Sequence, residues 1–294
     1  MNEIKLIALY YYICEWYDKE LRWHCQRFSN YCGDEITDEE ILTIFLFAVM
    51  EEEKFKVKSI HTYANRYLSS WFPALPKYSS FTTRLNRLAP VFPVLVQLLL
   101  NTADKSGIDF NTSVLDSMPI ITCSAKRRGK VATELTNKGY CSTKKLHYYG
   151  VKLHGVGFYR KGQLPFPEII KITPASEHDL VLRHDLMNIA NRTFFADKAY
   201  SDSDLIEWLG KKNSIILTPV KKIKGQSEQQ RQFDRAADDL FSTAVSRVRQ
   251  PIESFFNWLI EKVDIQRASR VRSTKGLIVH VFGKIAASIA SWIF

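Results

Sequence analysis

The sequence lacks the cysteine patterns that disulfide frameworks and zinc sites require. Its five cysteines are odd in number and include no C-x-x-C pair, so neither a set of disulfides nor a standard zinc site is expected. Cys25 and Cys32, with His24 beside the first, have the wrong spacing for a zinc finger. Small buried thiols in a reducing compartment are the better interpretation.

Membrane signatures are also missing. Charged residues are spread through residues 1–20 where a secretory signal would need an unbroken apolar core. The apolar stretch over residues 276–294 is interrupted by His280 and Lys284 and barely reaches the length that spans a bilayer. A helix packed into the protein core is therefore expected there, and no association with a membrane.

No internal repeat or low-complexity tract is present, and 46% of the residues are hydrophobic, which predicts a folded protein. Two patterns divide the chain. Over residues 1–105 the apolar residues recur at helical spacing, and Thr37 with Glu40 has the spacing of a capping box. This region is predicted to be a small all-helical domain.

Beyond residue 105 the pattern changes to short β-branched and aromatic runs separated by helical stretches. The first strands follow one another closely, as in hairpins, and the later ones alternate with helices. Residues 106–294 are therefore predicted to form an α/β domain with a mixed sheet and helices on its faces. Strands are expected in TSVLDSM, HYYGVKLHGVGFY, EIIKITPA, TFFADK and SIILTPV.

The net charge of +10 is concentrated in one segment. Residues 1–105 hold 12 basic against 13 acidic side chains, whereas residues 126–161 hold ten basic side chains against Glu134 alone. This segment favours binding to a polyanion, because each neutralised phosphate releases counterions. A solvated basic face kept for solubility is the alternative. A second basic cluster consists of Lys221, Lys222 and Lys224.

Two of the predicted strands lead to an aspartate: SVLDSM to Asp116 and FFADK to Asp197. One such residue proves little, since aspartate often begins a turn. If the two strands are neighbours, however, both carboxylates point at a shared volume. A third acid, Glu253, lies beside the apolar face of a predicted helix, where an unpaired carboxylate would be costly. Capping and solvation explain other nearby acids: Glu177, Asp179 and Asp185.

Three converging carboxylates repel one another by roughly 4 kcal/mol per pair at a separation of about 4 Å and an effective dielectric constant near 20. A divalent cation is therefore expected among them. Ligation by oxygen alone suits Mg²⁺, with Mn²⁺ as a substitute, and does not suit Zn²⁺. Two such ions support in-line attack on a phosphodiester, so an acidic pocket in a basic surface predicts an enzyme that acts on nucleic acid.

The blocks LDSMPI, YCSTKKLHYYGVKLH and ADKAY, with the R-x-x-x-E of Arg249 and Glu253, resemble the DDE transposases of bacterial insertion sequences, specifically the insertion-sequence 982 family. The resemblance covers most of the chain and implies a ribonuclease H-like catalytic fold. It implies Asp116, Asp197 and Glu253 as catalytic residues and as ligands of two Mg²⁺ ions. The implied reaction is DNA cleavage at the ends of the element, followed by transfer of the exposed 3′ hydroxyl into target DNA.

The resemblance further implies a cytoplasmic, nucleoid-associated bacterial protein whose partner is double-stranded DNA, at terminal inverted repeats and at the target site. A homodimer or larger assembly on DNA is expected. Residues 1–105 would bind the repeats or join protomers, and their near-zero charge favours the second task. Contacts with DNA are predicted for Arg127, Arg128, Lys144, Lys145, Lys152, His154, Lys221, Lys222 and Arg249. For His154 a satisfied histidine inside the sheet is the alternative.

The sequence departs from the family pattern around the third acid. Related transposases carry a Tyr-x-x-Arg-x-x-x-Glu-x-x-x-x-x-x-Lys signature, whereas here Ser246 replaces the tyrosine and Ile260 replaces the lysine. Lys262 is out of register, so only Arg249 is carried over, as a phosphate or DNA contact. Two other functions are compatible with the residues: a nuclease of the same fold that stops after hydrolysis, and a non-catalytic DNA-binding protein descended from a transposase.

Overall fold

The computed structural model describes residues 2–25, 36–126, 129–141, 144–220 and 228–294. The described part of the first 105 residues is helical, as predicted. Its α-helices are α1 (Glu3–Lys19), α2 (Asp38–Met50), α3 (Val57–Tyr67), α4 (Tyr78–Arg87) and α5 (Val91–Thr102). The capping box of α2 is confirmed, because the Thr37 hydroxyl accepts the Glu40 amide at 3.2 Å and the Glu40 carboxylate accepts the Thr37 amide at 2.7 Å.

The described residues after 105 form a mixed sheet flanked by helices. Its strands are β1 (Ile108–Ser124), β2 (Asn137–Cys141), β3 (Leu146–Arg160), β4 (Phe166–Pro174), β5 (Thr193–Phe195) and β6 (Ile215–Leu217). The order is β2-β3-β1-β5-β6, and β2 and β4 pair in succession with β3. Strands β1 to β4 pair antiparallel, whereas β5 and β6 continue the sheet in parallel. All five predicted strands are present.

The helices of this part cover both faces of the sheet. They are α6 (Arg183–Leu186), α7 (Ser203–Lys211), α8 (Glu228–Val263), α9 (Thr274–Ile278) and α10 (Lys284–Ala290). Helix α8 packs against β1, β3 and β5 on one face. On the other face a second core contains Leu115 of β1 together with Leu186 and Leu205 from the regions of α6 and α7.

Alternation along β1 decides which residues face α8. Val114, Met118 and Ile120 belong to the main core, whereas Leu115 belongs to the second core on the opposite face. Successive side chains of a strand point to opposite faces. Asp116 therefore lies on the α8 face, between two buried apolar residues of the same strand.

The C-terminal stretch is a core helix, as predicted. All residues of α10 are buried, and the helix contacts α2, α5 and α8. The main core is continuous from Leu6 in α1 to Ala290 in α10 and includes residues of the sheet. Within the described part of the chain, no helix is long and apolar enough to cross a membrane.

Candidate active site

The two aspartates predicted to meet lie on neighbouring parallel strands. Val114 of β1 pairs with Phe195 of β5, so Asp116 and Asp197 each lie two residues beyond the same rung of the sheet. Asp116 is still inside β1, whereas Asp197 follows the end of β5, is exposed, and begins a short 3-10 turn. The prediction that these strands are neighbours is confirmed.

The third acid is brought to this edge by α8. Its neighbours Ile252, Phe255 and Phe256 are buried against the sheet, which confirms the predicted apolar face, and Glu253 itself is about half exposed, at 49%. Gly155 of β3 pairs with Asp116, and a Cβ atom there would lie only 3.3 Å from the Phe256 ring. The glycine therefore allows α8 to pack closely beside Asp116.

Arg249 connects the strand-borne acid to the helix-borne acid. Its Nη1 donates to Asp116 Oδ2 at 2.5 Å, and its Nη2 donates to the Glu253 carboxylate one helical turn away. The arginine side chain is only 15% exposed. The sequence predicts Arg249 as a DNA contact, and in the structure its guanidinium donates to these two carboxylates.

The electrostatics of Asp116 depend on its burial and on the charged residues around it. Burial raises the pKa of Asp116, and the charges of Asp197 and Glu253 raise it further. Arg249 and the Ser117 amide, which donates to Asp116 Oδ1 at 2.8 Å, oppose this shift. The result is a pKa of about 6 against the usual 3.8. Arg249 therefore does not fully offset the burial and repulsion of this carboxylate.

Whether the three carboxylates can hold the expected Mg²⁺ ions depends on their placement. Among the residues that the structure describes, no three His, Cys, Asp or Glu side chains form a group that could hold a metal ion. The positive charge between Asp116 and Glu253 is the Arg249 guanidinium. Chemically, the carboxylate oxygens suit a hard divalent cation, and the raised pKa of Asp116 indicates that more positive charge would be stabilising.

A separate polar cluster lies behind Asp116, on the opposite face of the sheet. Ser117 Oγ donates to Asp179 Oδ1 at 2.8 Å, and Lys152 Nζ donates to the same oxygen at 3.2 Å and to the Glu177 carbonyl at 2.8 Å. Asp179 was assigned to capping and solvation from the sequence. Its contacts with β1 and β3 could not be read from the chain because the strands that supply them are distant in sequence.

His154 is a correction to the predicted DNA contacts. It is fully buried, and its Nε2 lies 2.8 Å from Thr173 Oγ1. Burial lowers its pKa to about 4, so the imidazole is neutral and has no surface to offer a phosphate. The alternative interpretation, a histidine inside the sheet, describes its position, but the ring is only half satisfied because its buried Nδ1 has no hydrogen-bond partner among the described residues.

The other predicted DNA contacts differ in how they are placed. Lys144 and Lys145 are exposed in the turn between β2 and β3, where Lys144 also donates to the Gln266 side chain. Lys152 is 18% exposed and bound to Asp179 and to the Glu177 carbonyl. The remaining predicted contacts lie outside the described residues: Arg127, Arg128, Lys221 and Lys222.

Tyr200 extends the acidic neighbourhood into the second core. It is buried, and its hydroxyl makes no hydrogen bond within the described residues. Burial raises its pKa, and so do the charges of Asp179, Asp116 and Asp197. It belongs to the same buried cluster as Leu115 of β1 and Phe194 of β5, the strands that lead to the two aspartates.

The family of the chain follows from a comparison with protein-family models. The model of the transposase DDE domain matches residues 109–289, more than half of the chain. The chain belongs to this transposase family. Its DDE domain therefore includes the sheet from the second residue of β1 onward, α8 and most of α10, and the helix-flanked mixed sheet agrees with a ribonuclease H-like fold. No curated protein and no solved structure matches the chain.

Proposed function

We propose that this transposase is a member of the insertion-sequence 982 family that cleaves DNA at the ends of its element and transfers the cut strand into target DNA. The observation that supports this most is the way distant parts of the chain place the acids. The parallel register of β1 and β5 brings Asp116 beside Asp197, and Arg249 joins Asp116 to Glu253.

Asp116, Asp197 and Glu253 would hold two Mg²⁺ ions, or Mn²⁺ in their place, through carboxylate oxygens. Such ions, when bound, activate the attacking oxygen and stabilise the leaving oxygen of a phosphodiester. Arg249 orients Asp116 and Glu253 relative to each other through its two donors. Because these acids are carried by a central strand and a long packed helix, the site is held by rigid elements.

Double-stranded DNA is the proposed partner, both at the terminal inverted repeats and at the target site. Exposed lysines of the turn between β2 and β3, Lys144 and Lys145, would neutralise phosphates near the site. Residues 1–105 are proposed as the region that binds the ends or joins protomers, and residues 106–294 as the catalytic region. A homodimer or larger assembly would form on DNA, in the bacterial cytoplasm at the nucleoid.

The test is an in vitro reaction with labelled duplexes taken from the DNA that flanks the coding sequence, together with Mg²⁺ and a target plasmid. We expect cleaved and joined products from the wild type and a loss on the order of a thousandfold in Asp116→Ala. Asp109→Ala is the matched control, because Asp109 is an exposed aspartate on the same strand.

Each outcome separates the candidate functions. Joined product that depends on Asp116 supports the transposase. Cleavage without joining of pre-cut ends indicates a nuclease that stops after hydrolysis. Binding without any cleavage indicates a non-catalytic DNA-binding protein, and equal activity of wild type and Asp116→Ala contradicts the proposed site.

A further inference from the structure

A large groove lies between the helical region and the segment that follows α8. Its volume is about 1490 Å³. One wall is formed by residues between Glu52 and Ser59 and by one side of α3, with part of α4 at its end. The other wall is formed by residues between Asp264 and Ser273, with Gly276 of α9. The groove does not include Asp116, Asp197 or Glu253, so it is separate from the candidate active site.

The walls of the groove are strongly basic. Six exposed basic side chains line it: Lys56, Lys58, Arg66, Arg267, Arg270 and Arg272. None of the six forms a salt bridge with an acidic side chain of the described residues. The acids in the lining are Glu52 and Asp264. The six basic side chains outnumber these two acids, and the groove therefore suits a polyanion.

The floor of the groove ties the two walls together. Lys284 is 3% exposed, lies over the Phe55 ring of one wall at 5.5 Å, and donates from Nζ to the Asp264 carbonyl of the other at 2.9 Å. His280 Nε2 lies 2.8 Å from the Ile265 carbonyl oxygen. Since the carbonyl can only accept, the imidazole donates. Contacts of buried Lys284 and of His280 therefore hold the two basic walls in place relative to each other.

Backbone hydrogen bonds fix the distance between the groove and the acids of the candidate active site. The Ile121 amide donates to the Gln266 carbonyl at 2.8 Å, and the Ala268 amide donates to the Ile121 carbonyl at 2.9 Å, so the basic loop is attached to β1. Ile121 lies five residues beyond Asp116 on β1, roughly 17 Å at the rise of a strand. Along α8, Asp264 lies eleven residues beyond Glu253, again roughly 17 Å at the rise of a helix.

We propose that this groove binds the sugar-phosphate backbone of double-stranded DNA, on the order of five base pairs from the phosphodiester at the active site, at 3.4 Å per base pair. The distance rests on the proposed function, whereas the binding of DNA in the groove does not. Exposed Tyr67 and Tyr78 at the lining supply hydroxyl donors of the kind that contact phosphates. A duplex held there would touch the helical region and the loop that follows α8 at once.

The experiment measures binding of a fluorescent random-sequence 30-base-pair DNA duplex by anisotropy, in EDTA and over a range of salt concentrations. One variant neutralises the loop wall (Arg267→Gln, Arg270→Gln, Arg272→Gln), and a second neutralises the α3 wall (Lys56→Gln, Lys58→Gln, Arg66→Gln). We expect each to weaken binding on the order of a hundredfold near 0.1 M salt and to reduce the salt slope by about 2 to 3, since each phosphate contact contributes about 0.9.

The control triple removes the same charge from exposed lysines outside both the groove and the basic segment 126–161: Lys105→Gln, Lys211→Gln and Lys212→Gln. Circular dichroism verifies that all variants are folded. The groove is overturned if both wall variants bind like the control triple, if only one wall matters, or if a matched RNA duplex binds more tightly than DNA. Because EDTA removes divalent metal ions, the binding measured here does not depend on catalysis. A negative result in the cleavage assay would therefore not affect the interpretation of the binding data.

Discussion

At the scale of single residues, Arg249 offsets part of the negative charge of the candidate active site. It is the cation that contacts both Asp116 and Glu253, and it is largely buried at 15% exposure. The planar guanidinium presents donors in a fixed fork, which allows one side chain to hold two carboxylates that come from different elements. The position of Glu253 relative to Asp116 therefore depends on this residue.

Replacing Arg249 by glutamine should lower the free energy of unfolding by about 1.5 to 3 kcal/mol, the range for hydrogen bonds to charged groups. Most of the loss comes from the bond to Asp116, which is 22% exposed, because the half-exposed Glu253 is screened by solvent. Urea unfolding at pH 7 measures it. Arg247→Gln is the control on the same helix, an exposed arginine two residues away, and equal midpoints for the two variants would contradict the role of Arg249.

The sequence predicts Arg249 as a contact to DNA, but it does not predict that Arg249 joins Asp116 to Glu253. The apolar runs before Asp116 and Asp197 predicted neighbouring strands, and the register of β1 with β5 agrees. The bond between Arg249 and Asp116 joins residues 133 apart in the chain, a separation at which local patterns carry no information. His154 was misassigned for the same reason, since Thr173, its partner, lies on another strand.

At the scale of elements, the turn between α9 and α10 fixes how the C-terminal helices pack. A π-helical turn spans Val279–Gly283. A Cβ atom on Gly283 would lie 2.7 Å from the Phe45 ring of α2 and 3.4 Å from the Phe92 ring of α5. Contacts of 2.7 Å are too short for a methyl group, so the helices approach closely because this residue is glycine.

Gly283→Ala should destabilise the protein by about 1 to 3 kcal/mol through overpacking, although alanine in a helix is otherwise favoured over glycine by about 0.5 to 1 kcal/mol. Gly210→Ala is the matched control, since Gly210 lies in α7 and a Cβ atom there meets nothing within 4 Å. Thermal unfolding should show the midpoint fall for the first and rise for the second. Shifts of the same sign would show that close packing does not decide the outcome.

Elements with a strong pattern could be predicted from the sequence, and elements defined by their partners could not. The capping box at Thr37 involves residues three apart in the chain, so it could be predicted from the sequence, and the structure confirms it. Strand β2 was missed because its sequence, NKGYC, has no apolar alternation and its pairing is supplied by β3. The basic groove was missed because its walls come from α3 and from residues 264–273, two short segments that are far apart in the chain.

At the scale of the whole molecule, the helical region and the DDE domain share one core. Helix α10 is buried between α2 and α5, and it also contacts α8, which packs on the sheet. The core that includes Leu6 near one end of the chain also includes Ala290 near the other. The last helix of the catalytic region thus completes the interior of the first region.

This shared core predicts that both regions unfold in a single transition. If residues 1–105 had an independent core, they could lose or keep structure separately. Without α10, however, buried faces of α2 and α5 would be open to water, so the loss of one region exposes the other. Fluorine NMR of 5-fluorotryptophan protein can follow Trp16 in α1 and Trp258 in α8 in urea, with each signal assigned from a Trp→Phe variant. We expect one midpoint for both signals, and two resolved midpoints would instead indicate domains that are stable on their own.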